Sequence, residues 1–237
     1  MSSFAPAQPI RRPRNGATAD EVLIFLAPHI RLTPTQAITW LRERGGQIER
    51  AGKRWDLTWQ GRSLNVDHAA LCDIAMRDRA QTLKAQPPYA GRPIVVALVA
   101  CVGEKLDHAA PARDLYVSQW FRKARRYAEQ FADQWYILSA LYGLIAPDEE
   151  RAPYNVTLNQ MKAPERLAWA ERVWPQIRAA APEPQRDRIV FLAGKHYRQH
   201  LAERLLVLGY DVEVPMEGLG IGEQLAWLDR AAAAVQG

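Results

Sequence analysis

Apolar and polar positions along this chain fall into two regimes. From residue 94 onward, short continuous apolar runs alternate with segments of helical period. IVVALVA (94–100), WYILSAL (135–141), RIVFLAG (188–194) and DVEVPM (211–216) are predicted strands. SQWFRKARRYAEQFA (118–132), APERLAWAERVWPQIRAAA (163–181), HYRQHLAERLLVLG (196–209) and GIGEQLAWLDRAAAAV (220–235) are predicted helices, with Pro175 a candidate bend. Four apolar strands alternating with helices argue for an α/β fold. The expected core is a four-stranded, mainly parallel sheet flanked by helices on both faces.

Residues 18–83 follow a different pattern. TADEVLIFLAPHI opens on a Thr18–Glu21 capping box and predicts a helix. Thr33 and Pro34 open a second helix, closed by Gly45-Gly46. QIERAGKRWDLTWQGRSLNV alternates and turns at Ala51-Gly52 and Gln60-Gly61, which predicts two or three short strands. Asp67 caps a third helix. Helix, helix, hairpin and helix make a small module similar to a helix-turn-helix or winged-helix domain. The Ser-, Pro- and Arg-rich residues 1–17 read as a disordered basic arm, and KAQPPYAGRP (84–93) as a linker to a second domain at 94–237.

Charge sharpens this division. The net charge is +5 and the pI about 9.4, and all of the excess lies in residues 1–90, which hold 13 Lys+Arg against 8 Asp+Glu. Arg42, Arg44, Arg50, Lys53, Arg54 and Arg62 fall on the second helix and the hairpin, interleaved with Trp40, Trp55 and Trp59. Cations among aromatics suit phosphate contact with base stacking, so DNA is the expected partner. Taken singly, each Trp is better explained as core. The two cysteines, Cys72 and Cys101, form neither a disulfide framework nor a zinc site, and no cofactor or metal is expected. No apolar h-region or membrane span is visible, so a cytoplasmic protein is expected.

In an open α/β sheet, sites form beyond the carboxyl ends of the strands. Beyond the first strand come Cys101, Glu104, Lys105, Asp107 and His108, then Arg113, Asp114 and Tyr116. The second leads into Ser139, Tyr142, Asp148, Glu149, Glu150, Tyr154, Thr157 and Asn159. The third leads into Lys195, His196 and Tyr197, and the fourth into Glu217, Gly218, Gly220 and Gly222 at the start of a helix.

SALYGLIAPDEERAPYNVTL resembles a stretch of the YaaA family of stress-associated DNA-binding proteins. The likeness runs through Ser139, Leu141, Tyr142, Gly143, Pro147, Pro153 and Tyr154, with Ala140 where that family has Gly. The wider chain is similar to an uncharacterised bacterial and phage domain family. That similarity runs through Cys101, Lys105, Ala112–Tyr116, Phe121–Ala128, Trp135–Leu144 and Gly218–Leu228, and covers about residues 94–230. The strand–loop layout also looks like the uracil-DNA-glycosylase fold, although no close copy of that superfamily's water-activating motif is present. The resemblance implies a domain that takes an extruded base.

Hydrolysis of an N-glycosidic bond needs an aromatic pocket, a carboxylate and a donor for the leaving base. Tyr116, Tyr142, Tyr154 and Tyr197 are candidate walls. Asp114, Asp148, Glu149, Glu217 and Glu223 are candidate carboxylates. Asn159 is a candidate reader of a base edge. Lys105, Lys195 and His196 are candidates for the leaving group or a phosphate. Ser139 and Cys101 line the same edge, Cys101 being equally readable as a small buried apolar residue. Gly218, Gly220 and Gly222 suit either a phosphate or a tight turn. The leading expectation is a DNA glycosylase acting on a modified base. The alternatives are a DNA-binding stress protein without turnover and a nucleotide-binding or phosphoryl-handling enzyme.

Overall fold

A computed structural model of the chain describes residues 32–85, 94–181 and 187–233. It divides into two compact units, Met1–Ala90 and Gly91–Gly237. The division falls inside the Pro- and Gly-rich stretch. The expected basic arm, the helix opening at Thr18 and most of the linker lie outside the described residues.

In the first unit, α1 (Pro34–Glu43) starts on a complete capping box. The Thr33 hydroxyl accepts from the Gln36 amide, and the Gln36 side chain accepts from the Thr33 amide. Three antiparallel strands follow: β1 (Gln47–Ala51), β2 (Arg54–Trp59) and β3 (Arg62–Val66). Asp67 then caps α2 (His68–Ala85) through the Ala70 amide at 2.8 Å. That helix runs through Ala85, two residues into the stretch 84–93 expected to be the linker. Ala37, Trp40, Leu41, Ile48, Leu57, Val66, Leu71 and Ala75 are buried between the helices and the sheet.

The second unit is built on a five-stranded sheet. Its strands are β4 (Val95–Ala100), β6 (Gln134–Ser139), β7 (Gly143–Ile145), β9 (Arg188–Leu192) and β10 (Asp211–Glu213), in the order β10-β9-β4-β6-β7. β10, β9, β4 and β6 are parallel. The expected four-stranded sheet lacks β7, which folds back antiparallel on β6 from Ser139↔Gly143 to Ile137↔Ile145. Three residues after a tight turn carry too little alternation to be seen as a strand. A two-residue ladder, β5 (Ala110–Pro111) with β8 (Glu150–Arg151), lies apart from this sheet.

The helices are α3 (Ala112–Leu115), α4 (Gln119–Phe131), α5 (Ala163–Ala180), α6 (Lys195–Val207) and α7 (Ile221–Ala233). α4 packs on α7, and α5 on α6. Right-handed crossovers, the rule for parallel β–α–β units, place α4 and the α5–α6 pair on opposite faces. α5 continues through Pro175. Val96 to Ala100 of β4 are almost wholly inaccessible, as a central strand covered on both faces requires. The chain leaves β4 for β6 on one side and later returns to β9 on the other. The strand order therefore reverses at β4, which makes its carboxyl end the place where a crevice can open.

Candidate functional site at the carboxyl edge of the sheet

Two features share this edge. The first is a set of buried hydroxyls around the ends of β4 and β6. The Ser139 hydroxyl, wholly buried, lies 2.7 Å from the Tyr154 hydroxyl, which lies 3.1 Å from that of Tyr116. The Tyr142 amide donates to Ser139 Oγ at 3.0 Å, and the Tyr142 ring meets Tyr154 edge-on at 5.3 Å. On the other side, Cys101 Sγ is 3.5 Å from the Tyr197 hydroxyl, which also accepts from the Leu158 amide at 3.4 Å. Burial raises the phenols of Tyr116, Tyr154 and Tyr197 above the ordinary tyrosine range, and the neighbouring Cys101 adds to each shift. All three are therefore neutral O–H groups at pH 7.

The Lys105 ammonium stands 4.6 Å from the Tyr154 ring centre and 5.6 Å from that of Tyr116. Its backbone is tied to the same place by a bridge to Tyr116. Gly103, with φ at +79°, lets this loop pass close to α4: a Cβ there would lie 2.6 Å from Ser118 Cβ.

The second feature is a cavity of roughly 210 Å³ where the β9 and β10 loops meet the start of α4. Phe191, Val214, Met216 and Trp120 supply its apolar lining, with Lys195, Arg198, Glu217 and Gln224 as the polar groups. The Trp120 indole donates to Gln224 Oε1 at 2.8 Å, and Gln224 Nε2 donates to the Leu219 carbonyl at 2.8 Å. That chain fixes one wall. Trp120, Phe191, Arg198, Met216 and Gln224 carry no sequence signal of a site, because each reads as part of a helix or a buried strand.

The structure sorts the expected carboxylates. Asp114 is exposed and pairs with Arg125 at 2.7 Å. Asp148 pairs with Arg113, and Glu149 with Arg151. The Ala112 amide donates to the Glu149 carbonyl and the Arg113 amide to the Pro147 carbonyl. The acidic centre of the loop after β7 is thus a latch onto the segment around α3. Of the carboxylates expected to act, Glu217 alone lines the cavity, 2.9 Å from Arg198. Glu223 accepts the Gly220 amide at 2.8 Å, so that amide is not open to a phosphate. Gly222 is exposed, and Gly218 lines the cavity. Asn159 meets His196 Nδ1 at 3.2 Å.

Among the described residues of the first unit, the basic side chains expected to meet nucleic acid are spread over α1 and the hairpin. Arg42 donates to the Ile48 carbonyl at 2.9 Å, and Arg44 pairs with buried Asp78 at 2.9 Å. Arg54 bonds Asn65 through its side chain and, at 2.7 Å, through its carbonyl. Lys53 and Arg54 lie at one end of β2 and Arg62, opposite Trp59, at the other. Five residues of extended chain separate those ends by about 17 Å. Trp40 is buried, and its indole donates to Asp78 at 2.9 Å.

The fold and the edge define a doubly wound α/β protein whose pocket lies beside the strand-order reversal. The chain belongs to a family of unknown function (DUF6884), whose pattern matches residues 96–230. It is 30% identical over 152 residues to the uncharacterized protein YfjM of Bacillus subtilis (strain 168), covering 57% of this chain and 93% of that one. No solved structure matches the chain. Among the described residues no helix is long and apolar enough to cross a membrane, and no group of His, Cys, Asp and Glu is placed to hold a metal.

Proposed function

We propose that the second unit is a base-accepting domain of uracil-DNA-glycosylase-like fold that hydrolyses an N-glycosidic bond in DNA. The observation that carries this reading is the cavity at the carboxyl edge. It combines an apolar lining, backed by the buried rings of Trp120 and Phe191, with the Glu217 carboxylate at its lining. In this reading Glu217 stabilises the positive charge developing on the sugar and orients water, while Arg198 holds it in place. The departing base takes up the proton that the attacking water releases. The likeness of the Ser139–Tyr154 stretch to the YaaA family supports DNA as the substrate.

The test is incubation of the full chain with DNA carrying varied base modifications, followed by heat or alkali to cleave abasic sites. Abasic sites are expected, and Glu217→Gln is expected to abolish them. Absence of both binding and abasic sites overturns the reading.

One observation favours DNA binding without turnover. The Glu217 side chain is 64% exposed and already paired with Arg198, so it faces solvent and not a closed, water-excluding site. That reading predicts salt-sensitive binding that survives Glu217→Gln and leaves every base attached. The phosphoryl-handling alternative has less support, because the Gly220 amide is already occupied.

A further inference from the structure

The ionic partners along the carboxyl edge are unevenly shared. Arginines engage Asp114, Asp148, Glu149 and Glu217. Lys105 and Lys195, by contrast, have no carboxylate within ion-pair reach among the described residues. Both lie just past the ends of adjacent parallel strands. β4 and β9 pair from Val95↔Arg188 to Val99↔Leu192, and the lysines follow six residues after Val99 and three after Leu192. Neighbouring strands are about 4.8 Å apart, so the two loops leave the sheet side by side.

Each lysine also has aromatic company. Lys105 stands over Tyr154 and Tyr116, while Lys195 borders the cavity walled by Trp120 and Phe191. Cations that track a backbone beside rings that take bases are the two requirements for holding a single strand. Arginines locked to carboxylates cannot serve that purpose without giving up their partners. A lone neutral base would leave both ammonium groups without a counter-charge.

We propose that Lys105 and Lys195 are a two-point phosphate register. They hold successive phosphates of a nucleic-acid strand laid across the carboxyl edge, so that the ligand is a polynucleotide strand and not a mononucleotide. This rests on the base-accepting reading for the orientation of the strand, but not on any bond being broken.

The experiment is a salt titration of the full chain binding a fluorescent single-stranded oligonucleotide, with a nucleoside monophosphate as the second arm. Lys105→Met and Lys195→Met are each expected to weaken oligonucleotide binding uniformly across sequences. Each should reduce the slope of log K against log salt by about 0.7, and the double variant by about 1.4. The monophosphate should bind at least tenfold more weakly than the oligonucleotide. Unchanged slopes overturn the proposal, as does a change confined to one lysine or a monophosphate that binds as well as the strand. Circular dichroism of each variant excludes loss of fold as the cause. Scoring abasic sites on the same oligonucleotide separates the two ideas. Base loss with unchanged slopes sinks the register alone, and reduced slopes without base loss sink the hydrolytic reading alone.

Discussion

The Trp169 indole donates to the main-chain carbonyl of Ser139 at 2.9 Å. The same ring meets Tyr197 edge-on at 5.8 Å. A single buried side chain on α5 therefore touches both halves of the hydroxyl cluster, the Ser139–Tyr154–Tyr116 side and the Cys101–Tyr197 side. It is reinforced along one helical face. Arg172 donates to the Leu141 carbonyl at 3.1 Å, and the Gln176 side chain accepts from the Leu144 amide at 2.8 Å. Positions 169, 172 and 176 recur at the spacing that puts side chains on one stripe of a helix. The turn that carries Tyr142 is thus held from behind by α5.

Trp169→Phe keeps most of the apolar volume and removes the donor. The Ser139 carbonyl then loses a buried partner, which costs about 1–3 kcal/mol. Urea unfolding should show a lower midpoint with an unchanged slope. A midpoint equal to that of the unaltered chain would show that the bond to Ser139 is not what holds this turn.

Gly143 tests the same turn from the other side. Its φ is +83°, and a Cβ would lie 2.6 Å from Gln176 Oε1. Gly143→Ala combines backbone strain of about 1–2 kcal/mol with displacement of the group that accepts the Leu144 amide. The combined loss should exceed the strain alone. Adding Gln176→Ala should relieve the clash and leave the strain, so the two changes should be non-additive in a double-mutant cycle. Strict additivity would contradict the contact.

Alkaline pH should destabilise the second unit through its tyrosines. Tyr116, Tyr154 and Tyr197 all have phenols raised by burial. A phenol ionises near pH 10 in an unfolded chain. The unfolded state therefore releases these protons first, and binds fewer than the native state from about pH 10 upward. The stability they contribute is full below that pH and is lost progressively as pH rises towards the folded values. Absorbance of phenolate at about 295 nm should show these groups titrating together with unfolding. Tyr154→Phe should make the loss less steep. A smooth titration of all eight tyrosines near pH 10 in the folded chain would refute the buried cluster.

The elements were legible where burial leaves a long signature. β4, β6 and β9 are runs of apolar residues bounded by turn formers, and α4 shows its period over 13 residues. β7 was not, because Gly143–Ile145 is indistinguishable from the tail of β6 until its antiparallel pairing is seen. The gathering of polar loops at one edge followed from strand alternation alone. The state of each carboxylate did not. Asp114 meets Arg125 across 11 residues and Asp148 meets Arg113 across 35, pairings that only the folded backbone creates. The cavity walls were hidden for the opposite reason: Trp120 and Phe191 satisfy the pattern of a helix and a strand perfectly well without a ligand.

Asp78 lies on α2 of the first unit. This buried carboxylate accepts the Trp40 indole N–H at 2.9 Å and pairs with Arg44 at 2.9 Å. It also lies 3.4 Å from the Gln60 amide at the β2–β3 turn. One side chain of α2 thus ties together α1 and the hairpin. Asp78→Ala leaves a buried indole N–H unpaired, at a cost of about 1–3 kcal/mol. The Arg44 share is small, because that side chain is 39% exposed and screened by solvent. Asp78→Asn keeps an acceptor for Trp40 and releases the ion pair, so it should cost less than Asp78→Ala. It should also free the Arg44 cation, and nucleic-acid binding at low salt should tighten slightly if this unit contacts phosphate. Binding that is unchanged by Asp78→Asn, and unchanged again by Arg44→Met, would remove Arg44 from any nucleic-acid surface. Lys53 and Arg62, on opposite ends of the hairpin, would be the next two of the described cations to test.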